Sequence, residues 1–146
     1  MTEGRVVLVT GGSRGLGAAI CRRLGMDGHK VVVNYFNSFA GAEKVVADIT
    51  EAGGTARAYK ADIRDENEIK QLLDEIAACL GPVEILVNNA TGPQPEKPLE
   101  QYTWRDFQDQ IDFFVKSPFF LMKHLAGPMK ERRWGSIINI VSEVAD

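Results

Sequence analysis

The residues Thr10 to Gly17, "TGGSRGLG", place Gly11, Gly15, Gly17 and one cation, Arg14, directly after the apolar run Val6 to Val9. A turn with so little side chain, between a strand-like run and a helix-like start, exposes backbone N–H groups to an anion. In such a loop one glycine permits the tight turn. A second lets the backbone approach a pyrophosphate, and a third lets helix and strand pack closely. The spacing here is G-x-x-x-G-x-G rather than G-x-G-x-x-G, and no Gly-Lys-Ser/Thr follows, which excludes the nucleoside triphosphate loop. A glycine-rich turn without a ligand is the plainer reading of this pattern alone.

The next apolar run ends in "VVVNYFNS". In a dinucleotide fold an acid at this point holds the ribose 2′-hydroxyl and repels a 2′-phosphate. No acid occurs between Val31 and Gly41. Tyr35 and Phe36 occupy the position, with Asn34, Asn37 and Ser38 as neutral hydrogen-bonding neighbours. Arg14 adds a cation from the glycine loop, or else is a solvated surface charge. The combination favours NADP(H) over NAD(H).

The elements that must position these residues alternate in kind. Val6–Val9, Val31–Val33, Ile85–Val87 and Ile137–Val141 are short apolar runs rich in β-branched residues, as in strands buried on both faces. A weaker strand is expected over Thr55–Ala61. Between them, Leu16, Ala19, Ile20 and Leu24 share one helical face, as do Ala42, Val45, Val46 and Ile49, and Ile69, Leu72, Leu73, Ile76 and Leu80. Gly28, Gly53-Gly54 and Gly81-Pro82 end these helices. A fourth helix starts near Thr103, an N-cap with Asp106 three residues on, is kinked by Pro118, and ends before Trp134-Gly135. The order predicts an α/β fold: a doubly wound parallel sheet, Rossmann-like, over residues 1–146 as one dinucleotide-binding unit.

Composition agrees. Hydrophobic residues are 45% and charged residues 25% of 146, normal for a globular domain with a real core. The net charge is −3 and no basic stripe is present, which argues against nucleic acid. No apolar run reaches the roughly 20 residues of a membrane span, and "MTEGR" does not open a signal peptide, so a cytoplasmic location is expected. Cys21 and Cys79 have no metal-type spacing and fall in apolar helical patterns, which predicts two free core thiols and no metal site.

"TGGSRGLG", then "ADI" at Ala61–Ile63, "NNAT" at Asn88–Thr91 and "GSIINIVS" ending at Ser142 occur in order along the whole chain. Together they resemble the short-chain dehydrogenase/reductase family, most of all its β-ketoacyl-(acyl carrier protein) reductase branch. The resemblance implies that Gly11, Gly12, Ser13, Arg14, Gly15, Leu16 and Gly17 surround the cofactor phosphates and adenosine ribose. It implies that Asp62 and Ile63 flank the adenine, that Asn88 braces the sheet, and that Asn89, Ala90 and Thr91 line the groove. It makes Ser142 the catalytic serine, hydrogen-bonding the substrate oxygen; a strand-end turn residue is the plainer reading. Thr91 stands where the family has glycine. Phe114 stands where the family has an asparagine, which removes a side chain from any water-linked proton relay.

The family's catalytic Tyr-x-x-x-Lys is not among these residues: Tyr35, Tyr59 and Tyr102 lie in no such motif. The resemblance therefore implies the N-terminal part of a longer NADP(H)-dependent oxidoreductase, truncated after its fifth strand. Such an enzyme would act on a small-molecule carbonyl or alcohol, with a β-ketoacyl thioester as one candidate. This part alone is expected to be inactive. The whole protein is expected to form a homo-oligomer, and the uncovered fifth strand to be a bare apolar edge. Two further readings stay open: a non-catalytic NADP(H)-binding module, and an interaction fragment that uses that edge.

Overall fold

A computed structural model describes residues 3–142. Five strands, β1 (Val6–Val9), β2 (Lys30–Tyr35), β3 (Thr55–Lys60), β4 (Ile85–Asn88) and β5 (Ser136–Asn139), form one parallel sheet in the order β3-β2-β1-β4-β5. The chain moves outward from β1 through β2 to β3, crosses back to β4 beside β1, and continues to β5. The order reverses between β1 and β4, and a doubly wound sheet opens its binding crevice at the carboxyl ends of such a pair.

The strands alternate their side chains between two helical layers. Val7, Val9, Val31, Val33 and Val87 face α1 (Gly15–Met26) and α2 (Phe39–Glu51), meeting Ala18, Cys21, Val45 and Ile49. Leu8, Val32 and Leu86 face α3 (Glu66–Cys79) and α5 (Ser117–Glu131), meeting Ile69, Leu72, Ile76, Leu121, Leu125 and Met129. Strands buried on both faces need no polar side, which explains their unbroken apolar runs.

Four expectations are corrected. The fully buried stripe of α1 is Gly17, Ala18, Cys21 and Gly25; of the expected face, Ile20 and Leu24 are half-buried against the same core, while Leu16 and Ala19 are exposed. The helix lies so close to α2 that a Cβ on Gly25 would press on Ile49 Cγ2 at 2.6 Å. Small residues therefore take the contact face, and Leu16 is 57% exposed. Cys21 is buried, and burial pushes its thiol up to about 12, but Cys79 is exposed on α3. The fifth strand ends at Asn139 rather than Val141, because the β4 residues it pairs with end at Asn88.

The fourth correction concerns Pro118. The fourth helical stretch is α4 (Trp104–Ile111), a π-helical turn over Asp112–Lys116, and then α5. The Ser117 N–H reaches back five residues to the Asp112 carbonyl, and Pro118 follows inside the first turn of α5, where proline's missing N–H is tolerated. The π turn accommodates the proline. Pro128 lies inside α5 as well. The α4 cap is as expected: the Thr103 N–H donates to Asp106 Oδ2 at 2.7 Å.

Candidate functional site

The carboxyl ends of β1, β2, β3 and β4 border a groove of about 470 Å³. Its floor is the glycine loop. Gly11 and Gly15 take φ of +62° and +55°, left-handed angles that side chains with a Cβ rarely adopt. A Cβ on Gly15 would meet no atom within 4 Å, so the backbone there borders open space. A Cβ on Gly17 would overlap the Gly11 carbonyl and the Asn89 amide. The two glycines thus do different things: one bares the backbone to the groove, and the other permits close packing behind it. The N-terminus of α1 opens at Gly15, leaving free N–H groups beside this space.

A hydrogen-bond clamp fixes the loop against β4. Thr10 is buried, and its hydroxyl accepts from the Asn89 N–H at 3.0 Å and the Ala90 N–H at 3.1 Å. Asn89 Nδ2 donates in return to the carbonyls of Thr10 and Gly11, both at 3.1 Å. Farther along the same sheet edge, Asn88 Nδ2 donates to Asn139 Oδ1 at 2.8 Å and ties β4 to β5. Asn88 braces the sheet as expected.

Most of the residues singled out in the sequence come together here. Gly11, Ser13, Arg14, Gly15, Leu16, Gly17, Asn34, Tyr35, Phe36 and Ser38 line the groove on the β1 and β2 side, with Asp62, Ile63, Asn89, Ala90 and Thr91 on the other. Leu16 is exposed because its place is at the groove and not in the core. Two expected members do not line it. Gly12 is buried, donates to the Asn34 carbonyl at 2.9 Å, and would meet Cys21 Sγ and Val33 if it carried a Cβ. Its absence of side chain serves packing. Ser142 lies three residues beyond β5, exposed, and borders neither this groove nor the apolar one described below.

Asn34 reaches the groove but its amide is already occupied. It accepts from the Gly11 N–H at 3.4 Å and donates to the Ala61 carbonyl at 3.2 Å. It is a brace between loop and β3, rather than a free donor to a ribose.

The groove also contains residues that were given no role there: Ala61 and Ile140, which lie within the "ADI" and "GSIINIVS" motifs, and Arg64 and Phe113, which lie outside the motifs. Arg64 makes a two-pronged pair with Asp62, Nε to Oδ1 at 2.9 Å and Nη2 to Oδ2 at 2.8 Å. Partial burial pushes the Asp62 carboxyl up, but the Arg64 hydrogen bonds and charge outweigh it and hold the group below its ordinary range. The signal was present in "ADIRD", a cation two residues after the acid. Local sequence does not reveal which way it folds.

A second groove of about 500 Å³ lies between β5 and the helix, lined by Phe114, Val115, Pro118, Phe119, Met122 and Val141 among others. Phe114 sits in the π turn and is 42% exposed. The buried Ser117 Oγ at this groove has no hydrogen-bond partner among the described residues. β5 is an edge of the sheet, as expected, with Ile138 exposed. Among the described residues there is no cluster of metal-ligating side chains, and no helix is long and apolar enough to cross a membrane.

Comparison with known proteins agrees with this geometry. The family model described as short chain dehydrogenase matches residues 5–146. The 3-oxoacyl-[acyl-carrier-protein] reductase of Staphylococcus epidermidis is 36% identical over 137 residues, 94% of this chain and 56% of that protein. A metagenomic short-chain oxidoreductase solved with NADP superposes with a TM-score of 0.89 at 33% identity, over 97% of this chain and 64% of that one. A 7α-hydroxysteroid dehydrogenase solved with NADH and 7-oxo glycochenodeoxycholic acid gives 0.88 at 36% identity, over 96% of this chain and 54% of that one. The chain spans about half the length of the curated relatives it matches. With the strand order, the glycine loop and the Thr10–Asn89 clamp, these matches establish that the chain belongs to the short-chain dehydrogenase/reductase family.

Proposed function

We propose that this chain is the cofactor-binding part of an NADP(H)-dependent oxidoreductase that interconverts a carbonyl and an alcohol. The observation that carries the reading is the groove over the glycine loop. Backbone left bare at Gly15, the N-terminus of α1 and the fixed Gly11 turn make an anion cradle suited to a pyrophosphate. A nicotinamide cofactor bound there supplies the hydride. This chain's residues hold it: the loop takes the pyrophosphate, and the β2 end with Arg14 takes the adenosine ribose. Asp62 and Ile63 border the adenine, and Asn89, Ala90 and Thr91 border the path toward β5.

Choice of the phosphorylated cofactor rests on charge. Phe36 stands where an acid would repel a 2′-phosphate, and Arg14 forms no ion pair among the described residues. The related structures include one with NADP and one with NADH, so family membership alone does not choose. Ser142, by its place after β5, is the hydrogen-bond donor to the substrate oxygen. The proton donor is the tyrosine of a Tyr-x-x-x-Lys that this sequence does not contain. A β-ketoacyl thioester is the substrate candidate, supported by likeness to the acyl carrier protein reductases.

Titration of the chain with NADPH and NADH, followed by cofactor fluorescence, tests the reading. Saturable binding with NADPH the tighter supports it. Tighter NADH binding rejects the phosphorylated cofactor, and no binding of either rejects the groove as a cofactor site.

A further inference from the structure

Arg64 comes from the loop after β3, outside the glycine loop and outside the end of β2. Three observations set it apart from a surface cation. It borders the groove. Its guanidinium centre lies 5.7 Å from the ring of Phe36 and 5.0 Å from the ring of Phe113, so aromatic faces flank it. Asp62 fixes it through Nε and Nη2, and the Asp62 carboxylate also accepts the Arg64 backbone N–H at 3.0 Å. A guanidinium has five N–H donors, and this fork uses two. The remaining edge, with Nη1, meets no acceptor among the described residues.

The position of Phe36 gives that edge its meaning. In a dinucleotide groove the residue at the end of β2 lies beside the adenosine ribose 2′-oxygen. Arg64 is packed against the residue that takes that place. Lys60 Nζ approaches the same ring at 6.0 Å, and Arg14 enters from the opposite rim. Arginine binds a phosphate through paired N–H donors, and a guanidinium already held in place loses little side-chain entropy on doing so.

We propose that Arg64 is a specificity-determining residue, held by Asp62 so that its free edge receives the 2′-phosphate of the cofactor together with Arg14. The inference rests on the reading of the groove as an NADP(H) site and adds the second cation to it. Asp62 then has two functions: it borders the adenine and positions the arginine.

The experiment compares wild type, Arg64→Met and Arg64→Lys in binding 2′,5′-ADP and 5′-ADP, with NADPH and NADH in parallel. In Arg64→Met the preference for the 2′-phosphorylated ligand should fall about tenfold, while the 5′-ADP affinity changes less than about twofold. Arg64→Lys should fall in between, since it keeps the charge and loses the fork. On the unaltered chain, the Arg64 Nε–H resonance should move with 2′,5′-ADP and stay with 5′-ADP, which tests the idea even if a variant does not fold. An unchanged preference in Arg64→Met, equal weakening of both ligands, or an Arg64 resonance indifferent to the 2′-phosphate would overturn it. A wild-type chain that prefers NADPH while Arg64→Met keeps that preference removes this inference alone. A wild-type chain that prefers NADH removes the NADP(H) reading as well.

Discussion

Thr10→Val removes one hydroxyl and keeps the side chain's shape, so it isolates the clamp between the glycine loop and β4. Thr10 is 1% exposed. Its hydroxyl is the acceptor for the Asn89 and Ala90 N–H groups and donates to the Val87 carbonyl at 3.4 Å. Valine leaves both N–H groups without that acceptor. An unsatisfied buried donor costs about 1–3 kcal/mol. These two are half-buried, so water takes part of the loss and about 1 kcal/mol each is appropriate, about 2 kcal/mol together. No cavity term is added, because the volume is conserved. For a chain of this size that lowers the melting midpoint by about 4–8 °C. The Thr10 carbonyl still receives Asn89 Nδ2, so the loop is loosened and not detached. Urea unfolding gives the stability change, and NADPH titration should show affinity about tenfold weaker, or about 1.4 kcal/mol. Thr10→Ser keeps the acceptor and should stay within about 1 kcal/mol of wild type. A valine variant within about 0.5 kcal/mol of wild type, with unchanged NADPH affinity, would refute the clamp.

Other substitutions address separate parts of the structure. Gly17→Ala puts a Cβ into the Gly11 carbonyl and the Asn89 amide, so it should reduce NADPH binding more than tenfold even where circular dichroism shows a folded chain. Asn88→Ala and Asn139→Ala each lose the 2.8 Å bridge between β4 and β5, and a double-mutant cycle in urea should show coupling of about 1 kcal/mol. Lys97 first, then the Thr103 N–H and hydroxyl, hold the Asp106 carboxyl down to about 2, from 3.8. A folded-state pKa below the unfolded one stabilises above the unfolded value and is lost as pH falls through the folded one. Asp106→Asn should therefore be less stable than wild type at neutral pH, with the gap closing between about 4 and 2. Carboxyl carbon NMR should show the Asp106 titration moving up in Lys97→Ala. Phe114→Asn should cost little stability, since Phe114 is 42% exposed, and far-ultraviolet circular dichroism should show an unchanged helix content.

The strand order was readable because buried parallel strands carry unbroken β-branched runs, and the glycine loop announced the turn between the first strand and its helix. The contact face of α1 was only partly readable from apolar periodicity, which found Ile20 and Leu24 but not the small residues at its centre. A helix packed this tightly on its neighbours uses Gly17, Ala18 and Gly25 as its contact residues, and small residues add little to a hydrophobic pattern. Cys79 fits the same apolar pattern but lies on the exposed side of α3. The π turn before Pro118 depends on a carbonyl shifting its partner by one residue, which no residue type signals. At the site, the glycine loop was legible because its chemistry is in the backbone and in local spacing, whereas Asp62 and the Asn89–Thr91 segment were singled out only through the resemblance carried by "ADI" and "NNAT". Arg64 was not, because its value comes from a fork with Asp62 and from two rings contributed by β2's end and the π turn. The packing of Gly12 was not legible for a similar reason: within one glycine cluster, only the fold separates residues that border the groove from those that face the core.

The most direct test of the account is an amide map of the chain, by two-dimensional NMR, as NADP⁺ is added. The account predicts the largest shifts at the amides of Gly11, Ser13, Gly15, Leu16 and Gly17, with a second set at Phe36, Asn37, Asp62 and Ile63. Shifts confined to the groove between β5 and α5, or no shifts at saturating NADP⁺, would contradict it.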